Sequence, residues 1–250
     1  MSPVIQSEFH DLAHRDQLGA YMNARNMVGS MVEVGTLHGG YASKILETWK
    51  GHLYCVDPWR NQPKDVYFDE ANNQNMEQVW AKVCNGIGKN PKCSLYRMLS
   101  LIGVGKFEDG ELDAVYLDGN HAVGAVREDI AAWFPKVKIG GIMSGHDFFT
   151  RYDSTGNCDA LTAVMEFAEA INVRPHVTWD SSWWFTKTDD ADESFRLACE
   201  EGRLPRPVYV VKCDYDAVVV IPVARFDWHL AVKWLTWWAQ SSTSRIRFPT

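Results

Sequence analysis

The stretch MVEVGTLHGGYAS, residues 31–43, decides how the chain is read. An apolar run carries one acid, Glu33, and ends at Gly35; Gly39 and Gly40 follow, and the residues after them can open a helix. Glycines at such a turn permit positive φ and let a ligand approach the backbone. The stretch is a strand-to-helix turn, and the functional question is whether that turn also holds a cofactor.

Outward from it, strand and helix patterns alternate. YASKILETWK (41–50) reads as a helix, HLYCVD (52–57) as a strand, WRNQPKDVYFDE (59–70) as a loop and ANNQNMEQVWAKVCNGIG (71–88) as a helix stopped by its glycines. KCSLYRM (92–98) is a short strand, LIGVGKF (101–107) a short helix, ELDAVYLDG (111–119) a strand ending in Asp118, and AVGAVREDIAAWFPKV (122–137) a helix. GGIMSGHDF (140–148) is a strand ending in His146 and Asp147, and CDALTAVMEFAEAI (158–171) is a helix. RPHVTWD (174–180) and SWWFTKT (182–188) are strands whose link is short enough to permit only an antiparallel pair.

This alternation predicts an α/β fold: a Rossmann-like, doubly wound, mostly parallel seven-stranded sheet, covered on both faces, with an antiparallel edge hairpin. An N-terminal helix precedes it, with Leu12, Leu18, Tyr21, Met22 and Met27 at apolar spacing. Residues 1–188 are expected to form the main domain and 189–250 a C-terminal α+β extension packed on it. In that extension 189–207 reads as a charged, proline-broken linker, YVVK (209–212) with AVVVIPV (217–223) as a hairpin, and FDWHLAVKWLTWWAQ (226–240) as a final helix. The helix carries Trp228, Trp234 and Trp238 at helical spacing, which suits packing on the domain, a homo-oligomer interface or a substrate lid.

With 46% apolar and 23% charged residues the chain has the composition of a folded protein, not a disordered one. A net charge of −7 without a long basic run argues against a nucleic-acid partner. Apolar stretches such as DAVVVIPVA (216–224) are too short to cross a bilayer, and the N-terminus lacks the basic-then-apolar pattern of a secretory signal. None of the six cysteines forms a CxxC pair, so they read as reduced and the expected compartment is the cytoplasm.

Two phosphate-binding readings of the 31–43 turn fail on spacing. Gly35 and Gly40 match the glycines of an ATPase phosphate loop, but Tyr41 and Ala42 stand where its lysine and hydroxyl belong. The dinucleotide fingerprint lacks its middle glycine, since Thr36, Leu37 and His38 follow Gly35. Glu33 would repel a pyrophosphate and attract a cationic group. The turn therefore suits a ligand that carries an ammonium and no phosphate.

Glu33-Gly35-Gly39, as E-x-G-x-x-x-G, resembles the first motif of class I S-adenosylmethionine-dependent methyltransferases. The resemblance implies that Glu33, Gly35, Thr36, Gly39 and Gly40 surround the methionine part of the cofactor. It also implies that Asp57, at the end of the next strand, accepts from the ribose hydroxyls and that Ser100 lies near adenine. Trp59 could cover one adenine face. The segment YLDGNHAVGAVREDIAAWFPKVKIGGIMSGHDF (116–148) is similar to a subgroup that includes macrolide sugar O-methyltransferases and cephalosporin-hydroxylase-like proteins. In that subgroup, strand-end carboxylates hold a divalent cation. Here the candidates are Asp118, His146 and Asp147, and the histidine shifts the preference from Mg²⁺ toward Mn²⁺, Fe²⁺, Zn²⁺ or no metal.

The expected activity is O-methylation of a small-molecule or sugar hydroxyl, with Asp118, His121 and His146 as catalytic candidates and Asp118 and His121 also touching the cofactor. Without a metal, His121 or His146 would serve as general base. Two other readings remain: a metal-dependent hydroxylase on the same fold, with His146, Asp118 and Asp147 as iron ligands, and a non-catalytic binding module. Asp113 reads as a solvated charge at the entry of its strand.

Overall fold

A computed structural model describes residues 12–153, 156–205, 209–210 and 220–221. In chain order its elements are α1 (Leu18–Ala24), β1 (Ser30–Val34), α2 (Gly40–Thr48), β2 (His52–Asp57), α3 (Met76–Asn85), β3 (Cys93–Arg97), α4 (Ser100–Gly103) and β4 (Leu112–Leu117). There follow α5 (Val123–Trp133), β5 (Val137–Gly145), β6 (Thr150–Asp153), β7 (Gly156–Asp159), α6 (Ala160–Ala170), β8 (His176–Val177), β9 (Trp183–Thr186), α7 (Asp189–Glu200), β10 (Tyr209–Val210) and β11 (Val220–Ile221).

Seven strands form one sheet in the order β3-β2-β1-β4-β5-β9-β8. The four pairings that join β3, β2, β1, β4 and β5 are parallel, and β9 adds antiparallel to β5 and to β8. The doubly wound sheet with its antiparallel edge is thus as the alternating sequence pattern predicts. Strand residues point alternately to the two faces. On β4, Val115 and Leu117 join a core with Val126, Ile130 and Trp133 of α5, Phe167 of α6 and Phe195 of α7. Ala114 and Tyr116 face the opposite core, built with Leu18 and Met22 of α1, Ile45 of α2 and Val79 of α3.

Several expectations are corrected. The region 189–207 is not a linker throughout: its first part is α7, capped by Thr188, whose side chain accepts from the Ala191 N–H. Asp189, Asp190 and Asp192 in the first turn suit the positive end of the helix dipole, while Ala191, Phe195, Ala198 and Cys199 form the buried stripe. A hairpin, β6–β7, appears where none was expected. Asp113 is not solvated: it is buried, accepts from the Gly29 N–H and pairs with Lys138. Of the hairpin expected after residue 208, Tyr209–Val210 and Val220–Ile221 pair antiparallel as β10 and β11, and the residues between them lie outside the described residues. The helix expected over 226–240 lies outside the described residues.

The chain winds outward from β1 to β3 and returns to β4 on the other side of β1, so the switch point lies between β1 and β4. Ligands in such sheets bind outside the carboxyl ends of the strands at that point. Gly35 sits there with φ +86°, and a Cβ on it would lie 2.1 Å from the Asp118 carbonyl oxygen. Gly40, by contrast, has nothing within 4 Å of its would-be Cβ. Gly35→Ala should therefore cost about 3 kcal/mol or more, through backbone overlap and positive φ together. Gly40→Ala should stay within about 1 kcal/mol of the parent. Urea unfolding of the two variants measures the contrast.

Candidate active site

The carboxyl ends of β1, β2 and β4 open into one cavity of about 740 Å³, within the usual range for a small-molecule site. Glu33, Gly35, Thr36, Gly40 and Asp57 line one part of it, Ser100 another, and Asp118 and His121 the part across the switch point. Non-glycine residues adopt left-handed backbone around these ends: Leu37 after β1 (φ 46°), Trp59 after β2 (φ 37°) and Asp147 after β5 (φ 57°). Such conformations cluster where structure serves function over ease of folding.

Glu33 is buried beside Thr36 and Cys55, accepting a hydrogen bond of 2.8 Å from Thr36 Oγ1. Burial pushes its carboxyl up to about 8 against the opposing pull of that bond. Asp57 accepts from the backbone N–H of Leu37 at 2.9 Å and of Trp59 at 2.6 Å. Burial raises its pKa too, with those two bonds working in the other direction. One aspartate thus ties the glycine turn after β1 to the turn after β2.

Two of the residues expected at the cofactor stand back from the cavity wall. Trp59 is fully buried, donates from Nε1 to the Leu37 carbonyl at 2.8 Å and packs on Trp80 at 4.7 Å, so no ring face is open to a ligand. It braces the turn instead. Gly39, with φ +76°, precedes the first turn of α2 against Ile87, and its role is to start that helix. Ser100 does reach the wall, where it donates to Asp129 and accepts from Trp133 Nε1 at 2.8 Å. Asp129 also lines the cavity, and burial lifts its carboxyl to about 7 despite the Ser100 bond.

Across the switch point, His121 Nε2 lies 3.3 Å from Asp118 Oδ1 and 3.0 Å from Asp147 Oδ2. His146 Nδ1 lies 3.0 Å from Asp147 Oδ1 and 3.9 Å from Asp118 Oδ1. Arg15 Nη1 reaches Asp118 Oδ2 at 3.3 Å. Burial opposes a charged imidazole, yet the two carboxylates outweigh it and lift His121 to about 10. The same two histidines hold Asp147 well below the usual carboxylate range, although burial alone would raise it.

This corrects the expected roles of the histidines. Two carboxylates beside its Nε2 favour the protonated form of His121, which counts against its role as a free base. His146 is absent from the wall of the large cavity, and its pKa is also raised: burial would lower it, but the bond to Asp147 and the charges of Asp118 and Asp147 together outweigh burial. Among the described residues, the acids and imidazole whose ligand atoms lie within 4.8 Å of one another are Asp118, His121 and Asp147. His121 therefore takes the place in the candidate metal set that His146 was expected to hold.

Residues not singled out from the sequence also shape the site. Arg15 is held by Asp180, which accepts from the Arg15 backbone N–H at 3.4 Å and lies 3.8 Å from Nε. Tyr41 packs at a tilt against Tyr116, ring centres 4.2 Å apart, and lines the cavity. Tyr67 lines it as well, and burial drives its phenol above the ordinary range. No local motif marks Arg15, because its partners come from β4 and the β8–β9 turn.

Residues 32–148 match the model of a protein family described as "Methyltransferase domain". That span includes Glu33, Gly35, Asp57, Ser100, Asp118, His121, His146 and Asp147. No curated protein sequence matches the chain. Among solved structures, the chain is similar to a "putative caffeoyl-CoA O-methyltransferase" from Staphylococcus aureus, with 13% identity, a TM-score of 0.50, and coverage of 68% of this chain and 80% of that one. It is also similar to a protein from Corynebacterium glutamicum (16% identity, TM-score 0.47, 69% and 80% covered). A third is a "putative O-methyltransferase" from Klebsiella pneumoniae (13% identity, TM-score 0.45, 74% and 83% covered). At such identities the likeness concerns the fold. No helix among the described residues is long and apolar enough to cross a membrane.

Burial of Glu33 yields a test on the empty protein. Below pH 4.5 the group is neutral in both folded and unfolded chains. Between 4.5 and about 8 the unfolded chain ionises first. Folded stability should then fall by about 1.4 kcal/mol per pH unit on account of this group. Glu33→Gln should flatten that part of the pH–stability curve, with the largest gain over the parent near pH 8. Denaturant unfolding from pH 5 to pH 8.5 provides the comparison.

Proposed function

We propose that the chain is an S-adenosylmethionine-dependent methyltransferase that transfers the cofactor's methyl group to a hydroxyl oxygen of a small molecule or sugar. The observation that carries the reading is the single cavity that joins Glu33 and Asp57 at one end to Asp118 and His121 at the other. The first pair suits a ligand with an ammonium and a ribose diol; the second suits an oxygen that must lose a proton.

Bound S-adenosylmethionine supplies an electrophilic methyl on a sulfonium. Glu33 faces its ammonium, and pairing with that cation favours the ionised carboxyl over the neutral form that burial otherwise promotes. Asp57 accepts from the ribose hydroxyls with the lone pairs that its two backbone bonds leave over. Asp118, on the cavity wall between Arg15 and His121, orients the acceptor hydroxyl and receives its proton. His121 holds that carboxylate in place. Orientation of this kind supplies much of the rate when the electrophile comes from the cofactor.

A divalent cation fits the same cluster. The 3.3 and 3.0 Å separations of His121 Nε2 from the oxygens of Asp118 and Asp147 match neighbouring ligands around an ion bonded at roughly 2.1 Å. Asp118, His121 and Asp147 would hold it in exchange for the imidazole proton. Their one nitrogen favours Mn²⁺ over Mg²⁺. Such an ion would lower the pKa of the acceptor hydroxyl.

Calorimetry with S-adenosylhomocysteine tests the cofactor, and folded protein that shows no binding would refute the reading. Asp57→Ala should weaken that binding roughly tenfold to a hundredfold without loss of fold; an unchanged affinity removes the ribose role. Asp118→Ala should abolish transfer to hydroxyl acceptors from labelled S-adenosylmethionine while costing far less in cofactor affinity. Assays after chelation and after return of Mn²⁺ or Mg²⁺ decide the metal, since full activity after chelation would leave Asp118 acting without one.

A further inference from the structure

Cys55 and Cys93 are free thiols on neighbouring strands, with their sulfurs 3.8 Å apart. Cys93 pairs with Leu53, and Cys55 with Leu95, across β2 and β3. Strand alternation therefore puts both side chains on one face of the sheet, in the core that holds Leu53 and Ile45. Cys55 is fully buried, whereas Cys93 is only partly so. Cys93 is also the first residue of β3, and β3 is the outermost strand at its end of the sheet. A small oxidant thus has one sulfur within reach, on a strand that pairs along one side only.

Cys55 has a second partner: its Sγ donates toward Glu33 Oε2 at 3.7 Å. The one S–H of Cys55 serves either Glu33 or Cys93. Directed at Cys93, it draws that thiol's pKa down against the effect of burial. A partly buried thiol favoured as thiolate, beside a second thiol that can resolve it, is the arrangement of a redox-sensitive pair. The contact with Glu33 gives the pair a consequence, because that carboxyl is the proposed partner of the cofactor's ammonium.

We propose that Cys55 and Cys93 form a reversible intrachain disulfide on exposure to a hydroperoxide, and that the bridge weakens cofactor binding by taking the Cys55 donor from Glu33. The oxidation follows from the two thiols; its effect on binding rests on the S-adenosylmethionine reading. The Cys93 thiolate attacks one oxygen of hydrogen peroxide, the O–O bond breaks, and the departing hydroxide takes a proton to leave as water. The Cys55 sulfur then attacks the sulfenic acid so formed. The S–S bond closes as the hydroxyl departs with the Cys55 proton as a second water, so two electrons pass from the thiols to the peroxide. Closing from 3.8 Å to a bond of roughly 2 Å needs rotation of Cys93 and a small shift at the start of β3. A dithiol reverses the step by exchange. Bound cofactor, by ionising Glu33, draws the Cys55 S–H away from Cys93 and slows the first attack.

The test treats the full chain with hydrogen peroxide, with and without S-adenosylhomocysteine, and reads intact mass, a disulfide peptide map and calorimetric affinity. Wild type should lose the mass of two hydrogens, yield a Cys55–Cys93 peptide pair and bind S-adenosylhomocysteine roughly tenfold more weakly. A dithiol should restore the affinity, and ligand present during treatment should slow the bridge. Cys93→Ser should keep the untreated affinity and lose none of it to peroxide. Thermal melts check folding, and Cys55→Ser, whose hydroxyl keeps a donor beside Glu33, is the second variant. Thiols that stay reduced at both positions overturn the proposal, as does a bridge that leaves the affinity unchanged or an equal loss in Cys93→Ser. Protein that binds no S-adenosylhomocysteine before treatment removes the cofactor reading and the effect on binding with it, while the peptide map still decides the bridge.

Discussion

The close approach of β1 and β4 at Gly35 is the constraint on which the site depends. A side chain there would occupy the space of the Asp118 carbonyl, so only glycine lets the two strand ends meet. Because they meet, the turn that carries Glu33 and the turn that carries Asp118 and His121 share one cavity. Were they held apart, the chain would have two shallow clefts at the ends of neighbouring strands. Asp57 extends the arrangement sideways by accepting from Leu37 and Trp59, which draws the turn after β2 into the same wall.

Charge is handled in two ways around the cavity. Around Glu33 and Asp129 burial dominates, and both carboxyls are pushed toward neutrality. Around Asp118 and Asp147 the carboxylates are paired with Arg15, His121 and His146. A cationic ligand group gains most beside a buried carboxyl that lacks a cation of its own. An oxygen nucleophile gains most where fixed charges are already arranged around it. The family match over residues 32–148 is to a methyltransferase domain, and this polarity within one cavity is what the proposed transfer would use.

Much of the framework was legible because parallel strands buried on both faces read as apolar runs, and the runs at 31–35, 52–57 and 111–119 had no competing pattern. The acids at their ends, Glu33, Asp57 and Asp118, were legible for the same reason: a strand end in a doubly wound sheet is a position with known consequences. Less legible was α7, where the acidic DDADE start obscured a clear stripe of Ala191, Phe195, Ala198 and Cys199. Trp59 was misplaced because a residue beside a site in sequence can point into the core, and its left-handed φ turns it there. His121 and His146 could not be told apart, since each follows a strand-end residue and only the crossing of the two turns shows which imidazole meets both carboxylates.

By itself, then, the sequence determined the alternating architecture, the glycine turn unsuited to phosphate and the acids at three strand ends. Each of these follows from local pattern, from strand period and from which residue closes a strand. Tertiary structure alone decided which groups face one another: Arg15 over Asp118, His121 between two carboxylates, Asp129 beside Ser100, and the Cys55 thiol between Glu33 and Cys93. The reason is physical. Pairings between distant segments depend on where loops and helices pack, and no local propensity encodes the partner of a buried polar atom.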